Sequence, residues 1–294
     1  MIHGKEPAFR NQLVIGKQGK PVQHDTPVDM PALAKKYTRD LDWEGKVVQS
    51  CVHCHQIGDA MRTEFRDQKE TIPDNLIYPF PAPEAIGLTF ESDGSFVIKS
   101  VLEDSPAYHA GLQSGDEILT VNNGSGSSWA NRQILISHAD LSWILHNAGD
   151  EITFLVQEGG PRRLIHETPT IKLPENWRRN SDISRRVGTW PMRAMALGGL
   201  LLEDLSDEAR AEQNPNNSQM ALFAKHVGQY NEHAAAKKAG YLKDDVIIEF
   251  DGITGRTSES ELIGHLLAKY QPGDQVKTVV LRDGKRIEMT LPMQ

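Results

Sequence analysis

The sequence predicts an α+β fold of two similar units, each a partly open β-barrel with two helices, preceded by a small helical segment. Three observations predict it. Residues 110–123 read "AGLQSGDEILTVNN" and residues 239–252 read "AGYLKDDVIIEFDG". Ala110-Gly111 falls on Ala239-Gly240, Asp116 on Asp245, and Ile118/Leu119 on Ile247/Ile248, which marks an internal repeat. Each copy is then followed by a helix-like segment, "HADLSWILHNA" (138–148) or "SESELIGHLLAKY" (258–270). Each copy ends in a Gly-Asp turn and runs of alternating apolar residues that read as hairpins, the second turning at Asp283-Gly284.

Taken in order, residues 1–30 are a polar lead-in with prolines at 7, 21 and 27, read as extended chain. Residues 31–81 carry helical pieces on both sides of "QSCVHCHQIGD" and end in a proline-rich strap. The first repeat occupies 82–173, a linker 174–194, and the second repeat 195–294. In each repeat a small-residue turn, "SPAYHAG" or "HAAAKKAG", stops at a glycine, which closes a helix in the left-handed region without steric cost. The full order is strand, strand, short helix, strand, long helix, strand, strand. The linker "PENWRRNSDISRRVGTWPMRAM" is rich in arginine and tryptophan, and reads either as a spacer in which the two stack or as a basic ligand patch, the spacer being preferred. Between Leu202 and Met220 the second copy carries an acidic, asparagine-rich insertion expected to cover or reshape its surface.

Composition narrows the function classes. With 38% hydrophobic and 24% charged residues the chain is of ordinary globular type. A formal charge of −8 argues against nucleic acid as a partner. No run approaches the roughly 18 apolar residues of a membrane span, and no signal-peptide core is visible. The chain has no G-x-S-x-G turn and no H-E-x-x-H helix, since His166-Glu167 lacks the second histidine, so no protease or hydrolase is expected.

"SVLEDSPAYHAGLQSGDEILTVNN" resembles the middle of a PDZ domain in the permuted form found in bacterial periplasmic proteases. The second copy is similar, with Asp244 where the motif has glycine, as Gly115 does in the first. Aspartate tolerates positive φ better than most residues. The resemblance implies binding of peptide or protein C-termini, added as a strand to an open sheet edge. It implies carboxylate capture by main-chain N–H groups of Ala85-Ile86-Gly87-Leu88 and Leu197-Gly198-Gly199-Leu200. An apolar slot is expected from Leu88, Phe90, Leu141 and Leu145, and in the second copy from Leu200, Leu202, Leu262 and Leu266.

The only two cysteines, Cys51 and Cys54, fit C-x-x-C-H with His55. Four readings stand: covalent haem c with Cys51 and Cys54 as thioethers and His55 on the iron; another metal; thiol–disulfide exchange; or two thiols with no chemistry. A second C-x-x-C is absent, which weakens zinc, and no thioredoxin-like βαβ pattern surrounds residue 51, which weakens redox exchange. "CHQIGD" resembles the haem-binding stretch of c-type cytochromes, so haem c is preferred. His24, His53 and Met30 are candidates for the second axial position. Met61 falls on the same side as His55.

The whole order, from "LDWEGKVVQSCVHCHQIGDAMR" through "NWRRNSDISRRVGTW" and "MALGGLLLEDL" to "LPMQ", resembles a bacterial family of thioredoxin-like/PDZ-domain (seleno)proteins. Members carry an upstream thioredoxin-like domain and an export signal, so this chain is expected to be a fragment or a shorter relative, periplasmic or otherwise exported in full-length form. The expectation is a tandem-PDZ binding module with a haem c site and an electron-transfer or sensing role. The alternative is a thiol–disulfide or electron-transfer accessory whose PDZ copies recruit a redox partner protein.

Overall fold

The computed structural model describes residues 51–122, 133–134, 138–146, 148–159, 164–168, 170–186, 188–213 and 218–294. The lead-in and the candidate iron ligands His24 and Met30 lie outside the described residues, as do the side chains of Cys51, His53, Cys54 and His55. The described chain divides into two compact units: residues 78–182, and residues 51–77 together with 183–294. The second unit therefore contains helices α1 (Cys51–Asp67) and α2 (Asp74–Ile77), and the C-x-x-C-H motif lies within α1.

The first unit runs through a 3-10 turn (Pro83–Ile86), β1 (Leu88–Phe90), β2 (Ile98–Val101), α3 (Pro106–His109) and β3 (Glu117–Asn122). It continues with β4 (Gln133–Ile134), α4 (His138–His146), β5 (Glu151–Gln157), β6 (Ile165–Glu167) and β7 (Ile171–Lys172). β1 pairs antiparallel with β2; a second sheet has the order β4-β3-β5-β6, with β7 also on β5. Along β5, Ile152, Phe154 and Val156 are buried while Glu151 is exposed, the alternation expected of a half-buried strand. These side chains join Ile86, Leu88, Ile98, Leu141 and Leu145 in one core. Burying each large aliphatic side chain contributes about 1.5–3 kcal/mol.

The second unit continues with α5 (Thr189–Leu197), β8 (Leu200–Asp204), α6 (Asp207–Gln213), β9 (Leu222–Val227) and α7 (Ala235–Lys238). It ends with β10 (Val246–Phe250), α8 (Glu259–Lys269), β11 (Gln275–Arg282) and β12 (Lys285–Pro292). Its five strands lie in the order β12-β11-β10-β9-β8, so β8 is an edge. A capping box at Ser258 and Glu261 starts α8. The acidic insertion contains α6, folded back by the fully buried Arg210, which donates to the carbonyls of Leu205 and Gln219 and pairs with Asp204.

At the two stretches read as similar, three main-chain bonds have counterparts. Gly115 N–H donates to Ile98 O at 2.8 Å, and Asp244 N–H to Ala224 O at 3.0 Å. Ile98 N–H returns to Asp116 O, as Ala224 N–H does to Asp245 O. Leu112 N–H closes on Ala107 O and Tyr241 N–H on Ala236 O. Gly115 has φ +92° and Asp244 +73°, so the aspartate keeps the glycine conformation. The Asp116 carboxylate accepts from the N–H groups of Gln113 and Gly159; Asp245 accepts from Leu242 N–H and a bidentate Arg282. Among the described residues no helix is long and apolar enough to cross a membrane.

Candidate functional site

The chain enters β1 through the 3-10 turn, whose Pro83 presets φ at its first position. Gly87 ends it at φ +89°, and its N–H donates back to the carbonyls of Glu84 and Pro83. A Cβ on Gly87 would lie 2.1 Å from both Cβ and Oγ of Ser105. Ser105 is itself buried and caps α3 by accepting from Tyr108 N–H at 3.2 Å. Both φ and close approach therefore require glycine here.

Gly87 O accepts from Leu102 N–H at 2.8 Å, and Glu91 N–H donates to Val97 O at 3.0 Å. Gly87 and Glu91 thus face β2. By alternation along an antiparallel strand, the main-chain groups of Leu88, and beyond it Phe90, point to the opposite side. Among the described residues no strand pairs with β1 on that side.

The structure revises the expected donor set and the apolar slot. Gly87 N–H is used to close the turn before it, which leaves Leu88 N–H as the donor directed to the open edge. Leu88, Leu141 and Leu145 are fully buried members of the core, as is Ile86, because the inward faces of strand and helix must be covered. Phe90 alone of that set is partly buried, edge-on to Phe96 at 5.8 Å. In the second unit Leu200, Leu202, Leu262 and Leu266 are likewise core.

The C-terminal end of α4 is held by Arg178, a residue read from the sequence only as part of a spacer. It donates to the carbonyls of Leu145, His146 and Ala148 at 3.0–3.2 Å, and stacks at 4.5 Å on Trp177, itself in the core. A guanidinium satisfies the last carbonyls of a helix and complements its dipole. His146, which packs on the Phe80 ring at 4.5 Å, is pushed down to about 4, first by burial and then by the Arg178 charge.

The second edge is built differently. Gly198 (φ +59°) and Gly199 (φ +88°) both donate their N–H to Arg193 O, closing α5. A Cβ on Gly199 would meet His233 O at 2.0 Å. Gly228 N–H donates to Gly199 O, as Leu102 N–H does to Gly87 O. On β8, Leu202 N–H donates to the Glu259 carboxylate at 2.8 Å.

In α1, Cys51, Cys54 and His55 have the i, i+3, i+4 spacing of one helix face, a face continued by Gly58, Arg62 and Arg66. Arg66 is buried and donates to the main-chain oxygens of Tyr270 at 2.6 Å and Gln294 at 2.5–3.1 Å, tying α1 to the rest of its unit. Arg62 donates to Leu76 O and pairs with Asp59. Among the described residues no group of three or more His, Cys, Asp or Glu side chains could hold a metal ion.

Comparison with known proteins bears on the first unit. No curated protein matches the chain. Among solved structures, the HtrA-type protease AlgW with decapeptide is 16% identical (TM-score 0.30; 60% of this chain and 47% of that chain covered). The same protease with tripeptide is 17% identical (TM-score 0.28; 62% and 54% covered). The chain spans about half the length of those structures. The family model for the PDZ domain matches residues 79–156, the stretch that contains β1 to β5. Residues 79–156 form a PDZ domain.

Proposed function

We propose that the protein captures peptide or protein C-termini as an added strand on β1 of the PDZ domain, and presents a covalently attached haem c on α1 of its second unit. The far side of β1, where among the described residues no strand lies opposite Leu88 N–H, carries the binding reading. The second unit is a PDZ-like repeat of the first, on the strength of their shared main-chain bonds. Cys51 and Cys54 would carry the thioether links and His55 would bind the iron. Their common helix face is compatible with one flat group held at three points. Bound there, haem supplies electron transfer or sensing. Such attachment places the protein in the periplasm or another exported compartment, next to a redox partner protein.

Arrays of decapeptides with free or amidated C-termini test the first claim: preference for free ends supports it, and equal binding counts against it. Expression behind a signal peptide with a haem-maturation system tests the second. A covalent Soret-absorbing band lost in Cys51→Ala supports haem, and a colourless protein beside a maturing control cytochrome rejects it. In that outcome the thiol–disulfide reading takes its place.

A further inference from the structure

From the hydrogen bonding around β8 we infer that the sheet edge of the second unit is closed from within. Glu259, clamped by Arg193, holds the N–H that an added strand would need, and so confines peptide capture to β1. The inference rests on the strand-addition reading above and assigns the two units different states.

Three groups converge on the Glu259 carboxylate. Leu202 N–H reaches Oε1 at 2.8 Å, Arg193 Nε reaches Oε1 at 2.9 Å, and Arg193 Nη2 reaches Oε2 at 2.6 Å. Glu259 and Arg193 are 3% and 2% exposed, so these charge-assisted bonds are shielded from water. Glu259 is also the first residue of α8, where the helix dipole favours a negative charge. The clamp is braced on its outer side. Arg193 Nη2 donates to Ser184 O at 2.5 Å, and its guanidinium lies 4.8 Å from the Trp190 ring. Ile183, fully buried, donates its N–H to Ser260 Oγ, and its carbonyl accepts from Thr189 Oγ1. The segment Ile183–Ser184 is thereby fastened at the start of α8.

A buried ion pair is poor evidence for a stabilising role, because desolvation offsets most of its Coulombic gain. Its effect here is on access. An incoming strand that takes Leu202 N–H must break a charge-assisted bond and expose a buried pair, which weakens binding at this edge roughly 10²- to 10³-fold. The N–H groups of Gly198 and Gly199 are spent on Arg193 O, as that of Gly87 is on the turn before β1, so the contrast between the edges lies at Leu202.

The test uses the full chain and a degenerate pool of decapeptides with free C-termini, followed by amide NMR. In the wild type the pool is expected to perturb amides of β1 and leave β8 unmoved, while Leu202 N–H exchanges slowly for an edge residue. Replacing both partners with apolar residues, Arg193→Met with Glu259→Leu, removes the clamp without leaving a lone buried charge. Leu202 exchange should then accelerate roughly 10- to 100-fold, and β8 amides should respond to the pool. Wild-type β8 responding to the pool, or a Leu202 amide that exchanges as fast as an unbonded one, overturns the inference. Where the double variant fails to fold, Glu259→Gln decides. It keeps the acceptor but loses the charge, so Leu202 must still exchange faster than in the wild type, and an unchanged rate refutes the clamp. Should neither edge bind peptide, strand addition fails, and the exchange contrast alone decides the closure.

Discussion

Gly87→Ala tests the geometry that aims the β1 edge. The substitution forces an L-residue into φ +89° and places a methyl carbon 2.1 Å from Cβ and Oγ of Ser105. The backbone conformation costs about 1–2 kcal/mol for a residue with a Cβ. Ser105 is buried and caps α3, so relief of the clash costs a further ~1–3 kcal/mol of overpacking. If Ser105 swings away instead, about 1 kcal/mol of capping is lost. Gly111→Ala is the matched control: its φ is +80°, and its new Cβ would meet nothing within 4 Å. That variant carries the backbone cost alone. Native-state hydrogen exchange of the buried β5 amides, at Phe154 and Val156, measures both. Gly87→Ala should exceed Gly111→Ala by about 1–3 kcal/mol, and adding Ser105→Gly should return the steric part. Equal costs for the two alanines, or no rescue by Ser105→Gly, would refute the reasoning.

Two further outcomes are expected. His146 takes up its proton near pH 4 in the fold and near 6.5 when unfolded, so the unfolded chain binds more protons between those values. Stability is then complete above about 6.5 and falls toward pH 4, by about 3 kcal/mol for this one group; His146→Gln should flatten that limb of a stability–pH curve, and an unchanged limb would assign it to other groups. Arg66→Leu strips the Tyr270 and Gln294 oxygens of their donor, at about 3 kcal/mol. Limited proteolysis should then cut between α1 and α2 faster while the PDZ domain keeps its thermal transition; unchanged cleavage would mean that α1 docks without the arginine.

The repeat was legible because its signals are local. A glycine stop, an aspartate in the turn and alternating apolar strands all fall within a few residues, and Asp244 at φ +73° confirms that even the departure from glycine was readable. Long-range pairing was not legible. Nothing around Arg66 points to oxygens more than 200 positions away, and nothing around Glu259 points to an arginine 66 positions earlier. The residues expected to line an apolar slot lie in the core. Leucines at strand and helix positions satisfy a core as well as a ligand pocket, and only solvent exposure separates the two. Arg178 lay in a segment read as a spacer, yet its donors are turned inward to a helix end.

The divergence of the two edges can be traced to two positions. The register that sets Leu141 and Leu145 on Leu262 and Leu266 also sets His138 on Glu259. The register of the glycine loops sets Ala85 on Leu197, and therefore Pro81 on Arg193. The first unit thus has neither half of the clamp in its sequence. An imidazole offers no pair of carboxylate oxygens, and proline offers no donor. The turn before β1 is also only four residues long, where α5 has nine. A guanidinium carried one turn earlier on a helix has no counterpart there. What repeats is the skeleton of turns and ladders that any copy of the fold must satisfy. What differs is the group that meets the outward N–H of the edge strand: Glu259 on Leu202 in the second unit, and no strand among the described residues on the far side of β1 in the first.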